Sequence, residues 1–198
     1  MRISDSMAKK QSTTLRYNEW LQQSAIRIGR VLFVLTLVYV VMIILYDAFA
    51  LVTPDMLLVR WVSAAGLAVG SALLWYSARK KQAAASYYAR LLYGYVLLLV
   101  LFASVNVYLG RGMASKSVLL FVIPIIVSGL LLRRAAIYMT TVIATAAYVL
   151  TSMTYAINNP SEGYKIELYG EVGFYSGVLF IVAALVWDVV RSKNADDS

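Results

Sequence analysis

The chain has 198 residues, of which 61% are hydrophobic and 14% charged, and its mean hydropathy is +0.72. Soluble domains average about 45–50% apolar and about 25% charged residues, so the composition excludes an ordinary soluble domain and predicts an all-α polytopic membrane protein. The net charge of +8 resides at the ends of apolar runs rather than along one soluble face, which argues for membrane topology and against a nucleic-acid partner.

Cysteine and histidine are both absent. That removes disulfides, thiol nucleophiles, Ser-His-Asp catalysis and imidazole or thiolate metal sites. No phosphate loop of the form G-x-x-x-x-G-K occurs, and no apolar span carries the lysine that a Schiff base would need. The chain is therefore read as no enzyme, with no catalytic residue, metal or cofactor.

Residues 1–30 form a polar, basic lead-in. Tyr17, Leu21, Ser24 and Ile28 recur at helical spacing between Arg16, Gln22, Gln23, Arg27 and Arg30, which predicts either an amphipathic helix on the membrane surface or a plain helical entry to the first span. The first apolar run starts too late and runs too long for a signal peptide, so no cleaved signal is expected. Six transmembrane helices follow, over about 31–52, 56–78, 87–109, 117–132, 135–157 and 172–190, and residues 191–198 form a short tail.

The second span carries Gly66-x-x-x-Gly70 and the sixth Gly173-x-x-x-Gly177, a spacing that lets a helix backbone approach closely, inside the bundle or between copies. Pro124 lies in the middle of the fourth span, where it removes one helical hydrogen bond and predicts a bend. Asp188, one turn before Arg191, is expected either to belong to a proton or ion path or, as the plainer reading, to pair with Arg191 or hydrate at the interface.

Of the eighteen Lys and Arg residues, only Arg60, Arg111, Lys116 and Lys165 fall opposite the termini, leaving fourteen on the terminal side. Positive residues stay inside, so both termini are expected in the cytoplasm and the protein in the cell (inner) membrane.

A polar residue held within a bilayer is costly and needs a reason. Asp47 closes the first span, Arg60 opens the second, Asn106 and Tyr108 stand near the end of the third, Tyr155 near the end of the fifth, and Tyr169, Glu171 and Tyr175 near the start of the sixth. All fall in the outer third. They predict either a polar ligand-binding cup opening outward or a set of groups that touch interfacial water and pair with one another.

The stretch L-L-F-V-I-P-I-I-V-S-G-L-L-L-R-R-A-A-I-Y-M-T-T-V-I-A-T-A-A-Y-V-L, from Leu119 to Leu150, sets a proline-interrupted helix, a leucine run, a basic turn and a second apolar helix in order. It resembles the six-helix membrane sensor modules at the N-termini of bacterial histidine kinases and diguanylate cyclases, a likeness that extends over residues 119–191. The resemblance implies signal transduction through an output domain. The 198 residues carry no such domain, so the expectation is a sensor half that signals through a partner protein, or a remnant or truncated sensor. In size and topology the chain also looks like the substrate-binding subunits of energy-coupling-factor vitamin transporters, which implies transport of a small molecule, although the first span lacks their small-residue ladder. A third expectation is a structural assembly protein that forms a homo-oligomer through its glycine motifs. The lipid bilayer is a partner under every reading.

Overall fold

The computed structural model describes residues 2–80, 84–160 and 166–196; Lys81 and Lys165, used in the charge count, lie outside them. Six α-helices occur among the described residues, with no strand: α1 (Arg2–Ala48), α2 (Pro54–Ala78), α3 (Ala85–Leu109), α4 (Val122–Gly129), α5 (Arg134–Asn158) and α6 (Ile166–Asp196). Two 3-10 helices, Gly112–Ala114 and Lys116–Phe121, connect α3 to α4. Five helices are long and apolar enough to cross a membrane, and the segment Lys116–Gly129 is shorter.

Between Arg2 and Ala48 there is no proline and only Gly29 as a glycine, so nothing interrupts α1. At 1.5 Å per residue its 47 residues reach about 70 Å, more than twice the ~30 Å hydrocarbon core. The expected surface helix is therefore the same rod as the first span. Its apolar stripe is covered by protein: Leu21, Ala25, Ile28 and Leu32 are buried in a cluster with Tyr88, Leu92, Tyr95 and Leu131. Polar contacts fix this stretch as well. Tyr17 Oη and Trp20 Nε1 donate to the carbonyls of Leu131 and Leu130, each at 3.4 Å, and Gln22 Nε2 donates to the Ala78 carbonyl at 3.2 Å.

The first span ends at Ala48 rather than at residue 52. The Leu51 amide bonds the Tyr46 carbonyl and the Ala50 amide the Asp47 carbonyl, each at 3.0 Å, which closes the helix as a Schellman turn. Ala50 supplies the left-handed residue of that turn, at φ 49°. Helix α2 then begins with Pro54 in its first turn and Asp55 beside it, residues suited to a helix N-terminus.

Helix α3 is the hub. It packs against α1, α2, α4 and α5, and Tyr88, Leu92, Tyr95, Val96, Leu99, Val100, Phe102, Ala103, Asn106 and Val107 are all buried. Doubled positions such as 95/96, 99/100 and 102/103 widen the usual single stripe, as a helix covered on two sides requires. Helix α6 is peripheral, with only 11% of its membrane window buried against 50% for α3. Its exposed Phe174, Ile181, Leu185 and Val189 present apolar surface suited to lipid.

The fourth apolar segment departs most from expectation. It is not one helix over 117–132 but six residues of 3-10 helix followed by eight of α-helix. A 3-10 helix rises about 2.0 Å per residue, so this shorter segment still extends about 24 Å. Pro124 sits in the first turn of α4, beside the 3-10 junction, instead of bending a continuous helix. Three residues per turn also explain the burial pattern: Val118 and Phe121 face the core at 1% and 0% exposure, while Lys116 and Leu119 share an exposed column. After Gly129 the chain tightens through bonds from the Leu130, Leu131 and Leu132 amides to carbonyls three residues back. The turn into α5 is made by Leu132 at φ 54°.

Close helix contacts are made at other glycines than most of those expected. A Cβ on Gly29 would lie 2.7 Å from Tyr95 Oη and 2.8 Å from Trp75, and one on Gly129 would lie 2.7 Å from Val186. Of the four motif glycines only Gly70 meets a neighbour, Leu98; Gly66, Gly173 and Gly177 have nothing within 4 Å. Those three pack against no part of the described chain.

Candidate ligand cavity

The predicted outer cup divides into separate groups. Arg60 and Asn106 come together, lining one cavity of about 590 Å³ between α1, α2, α3 and the 3-10 helix Lys116–Phe121. Tyr108 and Tyr155 instead meet each other, edge to face with ring centroids 5.4 Å apart, and the Tyr108 hydroxyl accepts from Asn158 Nδ2 at 3.2 Å. Tyr175 packs its edge on Tyr148, 6.5 Å between centroids, in the α5–α6 interface. Asp47, Tyr169 and Glu171 are exposed and line no part of the cavity.

The cavity is held by rigid elements. Asn106 is 4% exposed and donates Nδ2–H to the Phe102 carbonyl at 2.8 Å, which fixes its amide on α3. Phe102 packs edge-on against Tyr39 of α1, with centroids 4.8 Å apart. The other wall is positioned by Ser115, which accepts the Ser117 amide on its Oγ at 3.1 Å and thereby caps the 3-10 helix. Gly110 lets this connection fold back, since a Cβ there would collide with the Ser115 side chain.

Arg60 is the unusual residue. It is only 8% exposed, its Nε is buried without a hydrogen-bond partner, and its guanidinium stands 4.9 Å from the centre of the Tyr46 ring. Cation–π attraction contributes about 0.5–2 kcal/mol, less than the several kcal/mol needed to take a cation out of water. Among the described residues no carboxylate lines the cavity to make up the difference; the second charged lining residue is Lys116. The Tyr39 hydroxyl lies among Arg60, Ser63 and Asn106, yet makes no hydrogen bond of good geometry and is buried. The described lining is thus electropositive, and its Arg60 Nε and Tyr39 Oη have no hydrogen-bond partner among the described residues.

The remaining lining is apolar: Leu35, Val38, Met42, Leu119 and Leu120. Val38 and Leu119 are 62% and 61% exposed, so the apolar side opens at the outer surface of the bundle between α1 and the 3-10 helix. Three further crevices, including one beneath Trp20 and Leu130 and one beside Gly29 and Trp75, are almost wholly apolar and carry no comparable set of donors.

Sequence reasoning located Arg60 and Asn106 but missed Tyr39, Tyr46, Ser117 and Lys116 as their companions. Tyr39 and Tyr46 are seven residues apart, two turns on one helix face, and that spacing was the available signal. Lys116 registers in the sequence only as topological charge. Comparison with protein-family models, curated proteins and solved structures finds no match for this chain.

Proposed function

We propose that the protein is a non-catalytic binding module of the cell (inner) membrane, sensor-like in acting through a partner protein, with a ligand seated in the Arg60 cavity. The observation that carries this reading is a buried arginine with no carboxylate of the described residues beside it, in a cavity of ligand size. A charge in the outer part of a membrane bundle is retained for a purpose more often than for stability. In this reading the chain crosses the bilayer six times, the short Lys116–Gly129 segment included, and both termini are cytoplasmic.

The bias of fourteen cations to the terminal side supports the orientation, under which the cavity would open on the opposite, outer side. Cross-linking and copurification in mild detergent test the partner: a stoichiometric cytoplasmic output protein is expected, and recovery of the chain alone overturns sensing. A substrate-binding transport subunit would use the same cavity, and an ATPase pair in place of that output protein selects it. The homo-oligomer reading draws on the open faces of Gly173 and Gly177. Gly173→Leu would then dissociate a defined oligomer in detergent, and a wild-type monomer rejects that reading.

A further inference from the structure

We propose that the cavity takes an anionic amphiphile: a carboxylate or phosphate head among Arg60, Tyr39, Asn106 and Lys116, with a hydrocarbon chain leaving past Val38 and Leu119. The inference rests on the binding-module reading and names its ligand class. Charge decides the sign of the head. Among the described residues two cations and no carboxylate line the cavity, so a cationic ligand would be repelled, and a neutral one would leave the Arg60 guanidinium uncompensated.

Hydrogen bonding decides the kind of anion. Arg60 Nε and the Tyr39 hydroxyl are buried polar atoms without partners, on residues 8% and 6% exposed. Both donate to oxygen, and charge-assisted bonds of this type are about twice as strong as neutral ones. A carboxylate or phosphate offers several acceptor lone pairs to such a convergent set. A monoatomic anion would not reach them all.

The walls decide the remainder. Apart from the polar end, the cavity is formed mainly by apolar side chains, and its volume of about 590 Å³ exceeds what a bare carboxylate or phosphate fills. A small soluble anion would leave that apolar surface unoccupied. An alkyl chain would cover it and continue into the bilayer across the exposed Val38 and Leu119.

The natural lack of cysteine permits a direct test. Ser117→Cys places one thiol in the lining, and its maleimide labelling in the purified full chain reports occupancy. Oleate and 1-oleoyl lysophosphatidate represent the two anionic heads, monooleoylglycerol the neutral head, and inorganic phosphate and acetate the head without a chain. One of the anionic amphiphiles should protect the thiol; which one does so separates carboxylate from phosphate. Arg60→Gln should weaken protection by about tenfold or more, with Arg60→Lys retaining part of it. Because loss of a buried arginine can also disturb folding, Lys116→Gln at an exposed position provides the second variant and should weaken protection as well.

Equal protection by monooleoylglycerol overturns the inference, as does equal protection by phosphate or acetate alone, or indifference to both substitutions. The binding-module reading survives those results. Protection by none of the probes also overturns the inference, and the wider reading falls with it only if native mass spectrometry finds no other molecule retained by the chain.

Discussion

Gly29→Ala is the sharpest test of how the bundle is packed. The added methyl would lie 2.7 Å from Tyr95 Oη, 2.8 Å from Trp75 Cδ1 and 2.9 Å from Trp75 Cβ, against the ~3.5–4.0 Å of a relaxed contact. Trp75 Cβ is fixed to the α2 backbone and Tyr95 is fully buried, so neither can swing aside; α1 must move off α2 and α3. Overpacking of this kind costs about 1–3 kcal/mol. Alanine also returns up to about 1 kcal/mol of helix propensity, which would blur a single measurement. Gly66→Ala removes the ambiguity, because it carries the same propensity gain with nothing within 4 Å of the new methyl. The difference between the two variants in SDS-titrated unfolding from mixed micelles should therefore be about 1–3 kcal/mol, with Gly29→Ala the weaker. Equal stabilities would refute the three-helix crossing at Gly29.

Ala50→Gly should stabilise the protein by about 1 kcal/mol in the same assay, since glycine adopts the left-handed Schellman position at φ 49° without strain and the alanine side chain is exposed. Tyr95→Phe removes a buried hydroxyl without a partner and should leave stability unchanged or raise it by about 1 kcal/mol, whereas a clear loss would mean that this hydroxyl is bonded. In intact cells, a membrane-impermeant maleimide should label Lys116→Cys from outside and reach Ser192→Cys only after permeabilisation; the reverse pattern would invert the topology.

The long helices were legible because lipid imposes one simple rule, about twenty apolar residues per crossing, and the third and fifth spans differ from their predicted bounds by no more than two residues. Hydropathy cannot report winding, however. Residues 117–132 are uncharged and mostly apolar whether coiled as 3-10 or as α-helix, so the short fourth element was not visible. The same limit applies to glycine motifs: the spacing of Gly173 and Gly177 fixes a shared face but not what stands opposite it. Gly29, where a Cβ would lie within 3 Å of both Tyr95 and Trp75, belongs to no motif. At the cavity, Arg60 and Asn106 were visible because polar groups are rare in apolar runs. Tyr39 and Lys116 were hidden by the abundance of interfacial tyrosine and basic residues, and which of them converge is decided by how α1 and the 3-10 segment cross α3.

The winding of Lys116–Phe121 has a geometric consequence for the wall it forms. A 3-10 helix turns about 120° per residue and an α-helix about 100°, so rewinding this segment as α would swing Lys116 by roughly 100° about the axis relative to Phe121. The segment would also contract by about 3 Å. With Phe121 anchored at 0% exposure in the core, the lysine would change its position relative to the cavity it lines with Arg60. The electrostatic character of the cavity is thus set by the pitch of six residues as much as by their identity.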